Sequence, residues 1–155
     1  MSVADLPESL SRAPADRAKR VLLIDAQEPT ARVQLLDAPL GLLQLGAAIR
    51  EFCPGVDHHL IDWNTFVRLD REEAFRKLLA EYRPSVVGLS AFSFAMPLAL
   101  RIADMVREWD PAVPIVLGGH HATANPRGIE IHAAFDYYVV GDGVEAQRDF
   151  DLRFL

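Results

Sequence analysis

The most constraining feature of this chain is a rhythm. Short apolar runs of about five residues alternate with segments whose apolar residues recur at helical spacing. Arg20-Val-Leu-Leu-Ile-Asp25, Val56 to Asp62, Ser85-Val-Val-Gly-Leu-Ser90, Pro114-Ile-Val-Leu-Gly118 and Phe135-Asp-Tyr-Tyr-Val-Val140 read as five strands. The first, third and fourth lack polar alternation, as expected of strands covered on both faces. The second carries Asp57, His58 and His59, and that polarity fits an edge and predicts two solvent-facing histidines. Between the strands, Leu42, Leu45, Ile49 and Phe52 form one helical stripe in Leu40 to Phe52, started by Pro39 and ended by Pro54-Gly55. Asp70 caps a helix through Tyr82, with Ala74, Leu78, Leu79 and Tyr82 expected inward. Met96 to Trp109 carries the stripe Leu98, Ile102, Met105, Val106 and Trp109, stopped by Asp110-Pro111. A short helix is expected near 126–134, and another from Val144. Strand–helix alternation of this kind predicts an α/β fold: a doubly wound, five-stranded parallel sheet, flavodoxin-like (Rossmann-like), with strand order 2-1-3-4-5.

Composition narrows the function. The 155 residues are half hydrophobic and one quarter charged, enough apolar side chain for one packed domain. We expect residues 1–18 to be a flexible N-terminal tail and 19–155 the domain. One cysteine, Cys53, excludes an internal disulfide and a cysteine-built zinc or iron–sulfur site within these residues. Sixteen basic against twenty-two acidic residues, a net charge of −6, argues against nucleic acid as partner. No apolar stretch reaches a membrane span, and Met1 to Arg20 lacks the pattern of a secretory signal, so the expected location is the cytoplasm.

Open parallel sheets bind ligands beyond the carboxyl ends of their strands. The loops there begin at Asp25-Ala26-Gln27, at Ser90-Ala-Phe92-Ser93-Phe94, at Gly118-Gly119-His120-His121 and at Gly141-Asp142-Gly143-Val-Glu145. No Gly-x-Gly-x-x-Gly follows the first strand and no P-loop string occurs, so dinucleotide and nucleoside triphosphate sites are excluded. Ser90 stands where a phospho-accepting receiver needs its aspartate. Glu28-Pro29 in the first loop is a poor seat for a flavin phosphate. What remains is a run of small residues after the third and fourth strands, which either makes tight turns or opens a groove for an elongated ligand.

Four strings in order carry a resemblance: Pro39-Leu-Gly-Leu-Leu-Gln-Leu-Gly-Ala-Ala, Val86-Val-Gly-Leu-Ser90, Val116-Leu-Gly-Gly-His-His-Ala-Thr123 and Asp136-Tyr-Tyr-Val-Val-Gly-Asp-Gly-Val-Glu145. Over roughly 19–150 the chain resembles the cobalamin (B12)-binding domain at the amino end of many radical S-adenosylmethionine enzymes. The resemblance implies that cobalamin is the cofactor, with its nucleotide tail between sheet and helices. It implies contacts from Asp25, Ala26, Gln27, Leu40, Gly41, Ser90, Phe92, Ser93, Gly118, Gly119, His120, His121, Gly141, Asp142, Gly143 and Glu145. Classical members read Asp-x-His-x-x-Gly in the first loop, and the histidine ligates cobalt. Here Gln27 takes the histidine position and Thr30 the glycine position, which resembles the radical-enzyme subclass and implies base-off cobalamin without a protein imidazole. The last loop reads Gly-Asp-Gly-Val-Glu where the family reads Gly-Glu-Gly-Glu. The Cys-x-x-x-Cys-x-x-Cys of the radical domain does not occur in these residues, so the expected function is a non-catalytic cobalamin carrier for a radical S-adenosylmethionine partner or for methyl transfer. The alternative is a protein–protein module that keeps the fold without the corrinoid.

Other readings of single residues stay open. Adjacent His120 and His121 diverge on an extended backbone, which favours packing or hydrogen bonding over joint metal ligation, and we expect no metal site built from protein side chains. Asp142 and Glu145 are either an acid/base pair or caps at a helix start. Phe92 and Phe94 either flank a planar ligand or lie under the third helix. Cys53 and His132 carry no expected chemistry.

Overall fold

The computed structural model describes residues 19–27, 38–66, 70–124 and 132–143. The five strands are β1 (Arg20–Asp25), β2 (Asp57–Asp62), β3 (Val86–Ser90), β4 (Ile115–Gly118) and β5 (Tyr137–Tyr138). All pairings are parallel and the order is β2-β1-β3-β4-β5, as the rhythm of the sequence predicts. The apolar third strand is central and the polar second strand is an edge.

The helices are α1 (Leu40–Phe52), α2 (Arg71–Tyr82), α3 (Met96–Trp109) and α4 (His120–Ala124). Asp70 caps α2 by accepting a hydrogen bond from the Glu73 amide, and Arg83 ends that helix in the left-handed conformation. Pro97 in the first turn of α3 costs no hydrogen bond, because that amide has no helical acceptor.

The sheet divides the apolar residues into two layers. Leu22, Ile24, Val87, Leu89, Ile115 and Leu117 point to the side of α2 and α3 and pack with Phe75, Leu79, Ile102 and Val106. The Trp63 and Phe75 rings meet in a T-shaped contact at a centroid distance of 5.3 Å. Val21 and Leu23 point to the other side and pack with Leu42, Ile49 and Cys53 of the α1 segment.

At the amino edge of the sheet, the Arg107 guanidinium donates to the carbonyls of Pro111, Val113 and Ala134 and pairs with the Asp136 carboxylate. Asp136 also accepts from the Ile115 amide at 2.7 Å, so one cluster fixes the starts of β4 and β5.

Four details differ from expectation. Phe75, absent from the expected stripe, is the buried aromatic anchor of α2 and Ala74 is only half-buried, while Leu79 is buried and Leu78 and Tyr82 pack half-buried against the core as expected. Phe52, expected on the inward stripe, ends α1 exposed. His58 is half-buried rather than solvent-facing: its ring lies 3.2 Å from where a Cβ on Gly46 would stand, so the glycine makes room for it. His120–Ala124 is helical where the sequence reads as loop, and 132–134 forms a turn rather than the end of a helix. The remainder of the helix expected near 126–134, and the one expected from Val144, lie outside the described residues.

Candidate functional site

The strand register builds the site. Asp62 pairs with Asp25, Asp25 with Ser90, and Ser90 with Gly118, so these four residues stand side by side at the carboxyl ends of four adjacent strands. Two residues back along the strands lies the row Leu60, Leu23, Gly88, Val116 and Tyr137, which by the two-residue strand period is on the same face. Leu23 assigns that face to the α1 side. From β3 to β5 it is paved with Gly88, Ser90, Val116, Gly118 and Tyr137, all only half-buried. Gly88, Ser90 and Gly118 are the small residues of this strip, and the Leu23 side chain lies 3.1 Å from where a Cβ on Gly88 would stand.

The two glycines in β4 and its turn differ in kind. A Cβ on Gly118 would meet nothing closer than the Val139 Cβ at 3.7 Å, an ordinary contact, so a side chain is absent where space exists. Gly119 has φ of +88°, and a Cβ there would stand 2.8 Å from the Ser90 Oγ and 2.9 Å from the Ala91 amide. Its glycine is required by the turn itself. That close approach lets the loops bond to one another. The Ala26 amide donates to the Ser90 carbonyl (2.9 Å), the Ala91 amide to that of Gly118 (3.2 Å), and the His121 amide to that of Ala91 (3.0 Å).

The two histidines after Gly119 part, as adjacent side chains should. The His121 Nδ1 lies 3.0 Å from the Ser93 Oγ. The His120 ring stacks on Phe92 with centroids 4.4 Å apart and planes 14° from parallel. Phe94 stacks with Phe92 at 5.5 Å and 12°. Phe94 is 66% exposed, so it does not lie under the third helix. Thr123 accepts a hydrogen bond from the Gly141 amide at 3.1 Å, joining α4 to the turn after β5.

Asp25 is the one charged residue fully buried among those described, with 4% of its surface exposed. Burial pushes its carboxyl up to about 6; the Gln27 side-chain amide, donating at 3.4 Å, opposes the shift, and the Asp62 carboxylate adds to it. Near neutral pH this group sits close to its own titration, at the ligand end of the sheet.

The structure thus brings together Asp25, Ala26, Gln27, Ser90, Phe92, Ser93, Gly118, Gly119, His120 and His121. Leu40 and Gly41 start α1 exposed, with no atom within 4 Å of a Cβ built on Gly41. Gly141 and Asp142 are exposed beyond β5, and Gly143 follows half-buried. Glu145, Glu28 and Thr30 lie outside the described residues. Sequence reasoning missed Thr123, whose hydroxyl has a role only once α4 and the β5 turn are adjacent. It also left Asp62 on the flank, where strand register makes it the neighbour of Asp25. Among the described residues no group of histidine, cysteine, aspartate and glutamate is arranged to hold a metal ion, and no helix is long and apolar enough to cross a membrane.

A family model described as the B12 binding domain matches residues 30–151. No curated protein matches the chain. The match covers well over half of the sequence, and the chain belongs to the B12-binding domain family.

Proposed function

We propose that this member of the B12-binding family holds cobalamin at the carboxyl edge of its sheet, with the nucleotide tail laid along Ser90 and Gly118 on the α1 face. One observation carries the reading. Leu23 already lies against Gly88, but at Gly118 a side chain is missing where space exists, so its absence there is not demanded by packing. An elongated ligand gains buried contact there without displacing any residue of the core. The donor set suits such a guest: the Ser90 hydroxyl can donate to or accept from a polar tail, and the backbone beside Gly118 is open to close approach.

Bound cobalamin supplies a cobalt centre for methyl or radical transfer. The residues of this chain bind and orient it. Gln27 faces that end of the sheet with its amide nitrogen held by Asp25, and no imidazole stands in its place, so the cobalamin is carried base-off without a histidine from the first loop. Cys53 is buried against the α1 layer and belongs to the core. The chemistry on cobalt then belongs to a radical S-adenosylmethionine unit outside these 155 residues.

The test is direct. The purified protein is mixed with hydroxocobalamin, desalted, and its visible spectrum recorded. Retained colour is expected, with an absorption spectrum of the base-off form. A folded protein that emerges colourless overturns the reading and leaves the interaction module in its place.

A further inference from the structure

We propose that the stack His120–Phe92–Phe94 is a preformed platform for the flat macrocycle of the corrinoid, and that Phe94 makes cobalamin retention depend on the ring as well as on the tail. The inference rests on the function proposed above and extends it to residues outside the small-residue strip.

Three observations carry it. First, neighbouring rings are parallel within 14° at each contact, and Phe94, at the end of the stack, is 66% exposed. Phe92 stacks on Phe94, yet most of the Phe94 surface is left in water at the carboxyl end of the sheet, apolar area open to a ligand. Second, the platform is preorganised. Gly119 turns the chain so that His120 meets Phe92, while His121 ties α4 to the β3 loop through the Ala91 carbonyl and the Ser93 hydroxyl. A ligand landing on it has little left to order, which favours affinity. Third, the exposed large apolar residues are not scattered. Among those described, Leu40, Leu43, Phe94 and Val140 lie at or next to the carboxyl edge, and Phe52 alone lies at the far end of α1. Phe94 and Val140 follow β3 and β5, strands two spacings or about 10 Å apart, with Gly118 on the strand between them. A ligand with its tail beside Gly118 therefore carries its wide end between these side chains. A broad macrocycle whose rim carries methyl groups among its amide side chains fits that position.

The experiment compares hydroxocobalamin with dicyanocobinamide, which has the macrocycle without the nucleotide tail, by equilibrium titration of wild-type protein, Phe94→Ala and Phe94→Trp. Phe94→Ala is expected to weaken both ligands about tenfold, the scale of one stacked aromatic contact, and Phe94→Trp to restore both. Because Phe94 is exposed, the variants are expected to fold, and circular dichroism checks this. Wild-type binding that is unchanged in Phe94→Ala overturns the platform and leaves the cobalamin reading intact; the exposed ring then serves a protein partner. Loss confined to hydroxocobalamin also overturns it, since the contact would then be with the tail. A wild-type protein that binds neither ligand overturns both proposals.

Discussion

The two faces of the sheet are built from the same strands and differ in almost every other respect. On the α2 and α3 side, Leu22, Ile24, Val87, Ile115 and Leu117 are fully buried and large, and they meet Phe75, Ile102 and Val106, each with no exposed surface. On the α1 side, β1 still presents the buried Val21 and Leu23, but β3 and β4 present Gly88, Ser90, Val116 and Gly118, all half-buried. A sheet that needed only stability would carry large apolar residues on both faces. The difference teaches that one face holds the molecule together, while the other gives up packing where a ligand can supply it.

The comparison breaks most visibly at Phe75. Phe75→Ala removes a fully buried ring that also packs on Trp63, and should cost about 3–5 kcal/mol of stability, read from the urea midpoint at unchanged slope. A cost below about 1 kcal/mol would mean that this face is not the closed core described. Gly119→Ala comes next. It forces a side chain to a positive φ and against Ser90 and Ala91, and should cost about 1–3 kcal/mol in the same measurement.

Asp25→Asn should act in the opposite direction. The folded-state pKa of Asp25 is raised to about 6 from an ordinary 3.8. Below about pH 4 the group is protonated whether the chain is folded or not. Between about 4 and 6 folding retains the proton, and above 6 the buried carboxylate is ionised at a cost. Stability from this group is therefore lost as pH rises through about 6. The variant should gain on the order of 1–2 kcal/mol at pH 7. The melting-temperature difference between variant and wild type should grow across pH 4–7. A difference that stays flat would show that Asp25 is not held in a costly ionised state.

The smallest effect on stability sharpens the comparison most. Gly118→Val places methyl groups over the strip without a collision at Cβ, and should change stability by less than about 0.5 kcal/mol. Cobalamin retention after desalting should nonetheless be lost. If Gly118→Val destabilises like Phe75→Ala, the open face is ordinary core.

Much of this architecture is legible in the sequence because strands buried on both faces leave short apolar runs, and Pro, Gly and Asp punctuate the helices. The bounds Arg20–Asp25, Leu40–Phe52 and Met96–Trp109 agree with the reading from sequence. The α2 stripe was off by part of a turn: twelve residues with Ala74, Phe75, Leu78 and Leu79 leave the facing direction open by about one residue, and only packing against Trp63 selects Phe75. The five-residue α4 is too short to show a period, and its start at His120-His121 has no capping signal. The site divides the same way. Small residues after the third and fourth strands mark its position in one dimension. The row Asp62–Asp25–Ser90–Gly118, the three-ring stack and the Thr123–Gly141 bond need strands and loops distant in sequence to become neighbours. The burial that raises the Asp25 pKa is likewise a property of the assembled sheet.

The cluster around Arg107 has a mechanical consequence. β5 has only two ladder residues, yet its beginning is gripped by a guanidinium that also holds the start of β4. Past Tyr138 the chain is still held, by the Val139 amide on the Leu117 carbonyl at 2.8 Å and by the Thr123 hydroxyl near Gly141. A span anchored at its root, along its length and near its tip keeps its place, so the turn at Gly141 stands at the carboxyl edge as a fixed wall whose foundation lies at the opposite pole of the sheet.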